Sequence, residues 1–202
     1  RPGIAFAPRL ICELDEHTAS TWFDGAQALG SIGKQNPSVV SAMITRLGND
    51  TSRVRQSAAN VLEYMGEDVC GRECDICERL GVLLRSEDEF FAALLAMASV
   101  GRHHSQFRHE VLAYASPRQS RIRSSPGYPE MTFDDTMCER GTAISAMHYF
   151  KGYADECIPI LIEAIKTFEE YDPDECHEGP IGRIARTIAV FGANAVDAVP
   201  SL

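Results

Sequence analysis

Residues 49–66 run NDTSRVRQSAANVLEYMG: a polar cap, one amphipathic helix and a glycine stop. Asn49, Asp50, Thr51 and Ser52 carry short oxygens able to accept from the free N–H groups at a helix start. Val54, Ala58, Val61, Leu62 and Met65 then fall at three- and four-residue spacings, which stacks them along one face. Arg53, Arg55, Gln56 and Glu63 mostly take the other side. Gly66 ends the helix because glycine adopts a left-handed conformation at little cost. Ala58 and Ala59 are small enough to let a neighbouring helix approach closely.

The phrase recurs along the chain. Gly25 to Gly33 aligns with Ala58 to Gly66 at a shift of 33, and Ala93 to Gly101 aligns with it at a further 35. Arg140, Ala143, Met147 and Phe150 keep the register of Arg55, Ala58, Leu62 and Met65, and a last copy carries Ala185, Ile188, Phe191 and Gly192. A second phrase alternates with the first: Ala7-Pro8-Arg9-Leu10, Cys157-Ile158-Pro159-Ile160-Leu161 and Ala198-Val199-Pro200-Ser201-Leu202. Proline suits the start of a helix, where its missing N–H has no partner to lose. Each unit therefore predicts two helices, the first stopped by glycine and the second started by proline. Two helices repeating every roughly 30–45 residues are the sequence signature of an α-solenoid.

Val54-Arg55 before Ala58-Ala59, Gly66 after the helix, and the Ala-Val-Pro-x-Leu phrase resemble the HEAT-repeat family, in particular its short bacterial form related to phycobilisome-lyase repeats. The resemblance covers nearly the whole chain. It implies an all-α fold, a right-handed α-α superhelix of helical hairpins, and it says little about function because such repeats serve both scaffolds and enzymes.

Composition agrees with a globular chain: 202 residues, 45% hydrophobic. No apolar run approaches the ~18 residues of a membrane span, and no signal-peptide pattern opens the chain. The chain begins inside one proline-started helix and ends inside another, with no polar capping repeat, so the expectation is a single array over residues 1–202 that is a fragment of a longer one. Seven cysteines, an odd number spread through helical segments, point to a reducing compartment and mostly to buried small apolar positions. In order, helices are expected over residues 8–14, 20–33, 37–47, 52–66, 72–84, 88–101, 106–115, 136–151, 155–170 and 182–192, with an extended link at 67–71. Residues 116–135 break the rhythm with Pro117, Pro126, Gly127 and Pro129 among serines and arginines, and read as an irregular insertion loop.

Two residue clusters suggest metal chemistry. Cys70, Cys74 and Cys77 carry the spacing with which radical enzymes using S-adenosylmethionine hold an iron–sulfur cluster, and grouped thiolates also suit zinc. Those enzymes place the motif on a loop after a strand, whereas here the same spacing sets three sulfurs on one helix face that continues through Leu80 and Leu84, which favours a core stripe. His109-Glu110 and His177-Glu178 resemble the metal-bearing pairs of deoxyhypusine hydroxylase, a HEAT-type di-iron enzyme in which imidazoles and carboxylates converge from facing repeats. Only these two pairs exist here, and Cys176-His177-Glu178-Gly179-Pro180 departs from the family pattern by running into Gly-Pro. Polar residues at helix starts are the preferred reading.

Charge is segregated. From Arg102 to Arg123 there are five arginines and three histidines against one acid, Glu110, while from Glu163 to Glu178 seven acids stand against Lys166. The net charge of −10 argues against nucleic acid as a general partner, and with it against the base-excising glycosylases built from similar repeats. A local arginine patch remains suited to an acidic peptide or a phosphorylated surface. Trp22, Phe23, Phe90, Phe91, Tyr149 and Phe150 sit at repeat edges and are expected to pack between helices. No glycine-rich phosphate loop and no nucleophile–base motif stands out.

The sequence thus predicts a non-catalytic protein-interaction scaffold of HEAT-like repeats in a bacterial cytoplasm, with no cofactor and no membrane. Its partner-binding surface is expected at Arg102, Arg108, Arg118, Arg121 and Arg123. The alternatives are a metal-dependent enzyme using Cys70, Cys74, Cys77, His109, Glu110, His177 and Glu178, or a protein resembling bilin lyases.

Overall fold

The computed structural model describes residues 7–16, 19–116, 133–168, 180–193 and 195. Among them every regular element is helical: α1 (Ala7–Glu16), α2 (Ala19–Gly33), α3 (Pro37–Leu47), α4 (Ser52–Met65), α5 (Glu73–Leu83), α6 (Phe90–Val100), α7 (Ser105–Ala115), α8 (Phe133–Ala146) with a 3₁₀ turn at Met147–Phe150, α9 (Ala154–Phe168) and α10 (Pro180–Phe191). The all-α expectation therefore holds there, and no helix among the described residues is long and apolar enough to cross a membrane. The chain forms two compact units, Arg1–Phe107 and Arg108–Leu202.

In the first unit α2, α4 and α6 pack in a row with α4 in the middle, while α3 packs on α4 and α5 on α6. That placement explains why α4 buries more than one face. Ser57, Ala58, Ala59, Asn60, Val61, Leu62 and Met65 are all buried. Close approach is visible at Gly30 of α2, where a Cβ would lie 2.5 Å from the Tyr64 Cβ and 2.9 Å from the Val61 carbonyl of α4. A side chain at Gly30 would force the two helices apart. Nearly every side chain of α6 is buried as well, the outward exceptions being Phe91 and the half-buried Leu95.

The helix ends follow local chemistry. Asn36 caps α3, its Oδ1 accepting from the Ser38 N–H at 3.1 Å, and Pro37 opens the first turn as predicted. At α4 the expected side-chain cap is displaced. Asn49 Oδ1 accepts from Thr51 N–H at 2.9 Å, one residue too early, and the Arg55 guanidinium holds the Asn49 and Asp50 carbonyls at 2.7 and 2.9 Å. Gly66 and Gly192 stop their helices at φ of 60° and 56°, as glycine stops should. Gly101, after α6, is glycine for another reason: a Cβ there would meet Cys77 Sγ, the Met97 carbonyl and Phe107 Cβ, each at 2.9 Å.

One expectation is corrected. Residues 67–71 are a hydrogen-bonded turn with positive φ at Cys70 and Gly71, and Val69 is buried beneath it, so the link is not extended. The helix expected over 155–170 begins at Ala154, where the Tyr153 carbonyl accepts from Glu156 and Cys157, so Pro159 lies inside α9 and does not start it. Its ring is exposed, so no core packing depends on it.

In the second unit α10 packs on α8, on α9 and on the 3₁₀ turn. Ala143, Met147, Phe150, Ile188 and Phe191 are buried in the register set by Ala58, Leu62 and Met65. The predicted start of α8 at residue 136 moves to Phe133. Most of the insertion expected at 116–135 lies outside the described residues.

Candidate functional site

Polar side chains in the first unit join positions about one repeat apart. Gln56 donates to the Asp88 carbonyl, Gln35 to Asp68, Arg55 to Glu89, Arg46 to the Ile11 carbonyl, Arg102 to Glu67 and Ser99 to the Glu63 carbonyl, at chain separations of 32 to 36 residues. Loops, helix starts and helix ends are thereby tied from one hairpin to the next. Arg55 and Gln56, expected on the outer polar face, are half-buried for this reason. Glu89 is fully buried, and one of its carboxylate oxygens is taken by Arg55. A buried carboxylate needs such a partner.

The predicted arginine surface divides. Arg102 lies on the turn after α6 with its guanidinium 2.5 Å from Glu67 Oε1, and His103 Nε2 is 2.7 Å from Glu67 Oε2. The hydrogen bond from Arg102 holds the Glu67 carboxyl below its ordinary value, aided by His103. Arg108 is buried, only 6% exposed, with Nε and a terminal nitrogen on the Glu156 carboxylate at 2.8 and 2.7 Å. Its guanidinium also stacks over Tyr153, 3.7 Å from the ring centre. Such a bidentate, stacked arginine has little left to offer a partner. Arg102 and Arg108, expected to lead into the basic surface, thus each carry a carboxylate partner within the chain. Arg118, Arg121 and Arg123 lie outside the described residues.

The cysteine cluster separates too. Cys70 sits in the turn before α5 at φ 58° and is exposed, Cys74 is exposed on the first turn of α5, and Cys77 is buried. The three sulfurs therefore do not share a helix face, which corrects the core-stripe reading for Cys70 and Cys74. Of the remaining described cysteines, Cys157 is buried and Cys12 and Cys138 are exposed, so burial is the exception here. Burial pushes the Cys157 thiol up to about 12. His109 is exposed with Nε2 3.3 Å from Glu156 Oε2, beside the half-buried Glu110, and His177 and Glu178 lie outside the described residues. Among the described residues no group of three or more His, Cys, Asp or Glu side chains is arranged to hold a metal ion.

Arg140 is buried in the second unit and donates to the Ala115 carbonyl at 3.0 Å, and burial pulls it down from its ordinary value against the pull of Glu163. Phe90 and Phe150 are buried as expected of packing aromatics. Phe91 is 42% exposed and Val82 63% exposed. The side chains of Trp22 and Phe23 lie outside the described residues.

One pairing went unnoticed in the sequence: Cys74 Sγ lies 3.9 Å from His104 Nδ1. The signal for it was present, since the two are 30 residues apart, close to the repeat length. Comparison with family models, with curated proteins and with solved structures returns no match for this chain.

Proposed function

We propose that this chain is a non-catalytic protein-interaction scaffold, its hairpins stacking as HEAT-like repeats into a right-handed α-α superhelix that works in a bacterial cytoplasm. The observation that carries this reading is the set of polar ties at one-repeat separations alongside the α2–α4–α6 row. Ties between equivalent positions are what a stack of like units requires, and stacks of this kind expose long surfaces suited to extended partners.

The partner is an acidic or phosphorylated protein segment, and the arginines that grip it are Arg118, Arg121 and Arg123, since Arg102 and Arg108 are already engaged. Fluorescence anisotropy with labelled acidic and phosphorylated peptides tests this on the whole chain. Replacing all three arginines by glutamate is expected to weaken capture at least about tenfold, with binding that falls as salt rises. Equal binding by the triple variant removes this patch, and no binding by the unaltered chain removes the anionic partner.

A further inference from the structure

We infer that Cys74 and His104 form a thiol–imidazole pair, and that Cys74 is a site of reversible modification by low-molecular-weight disulfides. The pair is assembled by packing. Gly101 ends α6 flat against the Cys77 sulfur, where any Cβ would clash at 2.9 Å. The following turn closes with the His104 N–H on the Gly101 carbonyl at 2.9 Å. Cys74 lies one helical turn before Cys77, so seating Gly101 on Cys77 sets His104 beside Cys74. The buried Phe107 ring packs edge-to-face with the imidazole at a centroid distance of 5.9 Å and an interplanar angle of 61°. Cys74 is exposed, so a reagent reaches the sulfur from solvent.

The chemistry follows from this arrangement. With the imidazole neutral and its proton on Nε2, Nδ1 accepts the Cys74 proton. The resulting thiolate attacks one sulfur of the disulfide, forming a Cys74–S–S bond and breaking the reagent's own S–S bond. The departing thiolate takes the proton back from the imidazolium. Cys74 is oxidised, the reagent is reduced, and excess thiol reverses the exchange. The neighbouring ionised groups are mostly answered: Asp75 by Arg72 and Arg79, and Glu67 by Arg102 and His103, leaving Glu73 and Glu78 on the same helix. Cys77 and Cys157 are excluded by burial, while Cys12, Cys70 and Cys138 are exposed and serve as internal references.

The experiment treats the whole chain with oxidised glutathione at neutral pH and follows each cysteine by mass mapping of quenched digests. Cys74 is expected to be modified on the order of tenfold faster than Cys12, Cys70 and Cys138, within the range over which neighbours tune thiol reactivity. His104→Asn should bring Cys74 to the rate of the other three and leave their rates unchanged, and added imidazole should partly restore it. A Cys74 rate no faster than the references overturns the proposal without recourse to any variant. A fast Cys74 that is indifferent to His104→Asn overturns the pair.

Discussion

Arg108 has three neighbours at once: the two oxygens of Glu156 and the face of Tyr153. Its positive charge was plain in the sequence as one of a basic run, but its burial was not, because the answering carboxylate lies 48 residues away. The charge pattern alone could not separate an arginine reaching for a partner from one that holds its own fold. The pair makes a pH prediction. The Arg108 hydrogen bonds hold the Glu156 carboxyl below its ordinary value of 4.5, opposed by burial. A depressed carboxyl contributes stability that is complete above the unfolded value and lost as pH falls through the folded one. Glu156→Gln is therefore expected to cost about 1–2 kcal/mol at pH 7, and the gap between the two proteins should shrink as pH drops below ~4. Urea midpoints measured across that range check it; a gap that stays constant with pH would mean the carboxylate charge contributes nothing.

At the scale of elements, α3 and α9 carry the same proline signal with different outcomes. Asn36 caps α3 and Pro37 opens it, so proline marks the start faithfully. In α9 the Tyr153 carbonyl accepts from Glu156 and Cys157, the helix is under way before Pro159, and the proline merely removes one donor from its second turn. Restoring that donor with Pro159→Ala lets residue 159 bond the Asp155 carbonyl while losing no core contact. A gain of about 1 kcal/mol is expected, read as a higher melting temperature, because the removed constraint in the unfolded chain offsets part of the recovered hydrogen bond. A lower melting temperature would show that the ring shapes the helix in a way the exposed position does not suggest. The glycines were equally mixed signals: Gly66 is demanded by its backbone angle and Gly101 by lack of space. Helix existence was thus legible from periodicity. So were the local boundaries at Asn36-Pro37 and Gly66, whereas the need for glycine at Gly101 was not, because it depends on Cys77 and Phe107 packed against it.

Across the molecule, the repeat length of the first unit was the most legible quantity, because the alanine-rich phrase returns there at shifts of 33 and 35 and the polar ties follow that spacing. The candidate site was far less legible: the spacing of Cys70, Cys74 and Cys77 favours a core stripe over a metal site, and nothing in the pattern near His104 points to Cys74. The row α2–α4–α6 predicts a shared response to damage. Leu62 is fully buried in its middle helix, and Leu62→Ala is expected to cost about 3 kcal/mol. Amide hydrogen exchange should then quicken in α2 and α6 together with α4, whereas a change confined to α4 would deny the row its cooperativity. The ties spanning 32 to 36 residues also bear on how fast this unit is built. The entropy lost in closing a loop rises only with the logarithm of its length, and rates fall chiefly when contacts must be found far along the chain. None of these ties requires a search beyond the adjoining hairpin. The first unit can therefore grow hairpin by hairpin as it leaves the ribosome, each new one finding its hydrogen-bonding partners on the hairpin completed just before it.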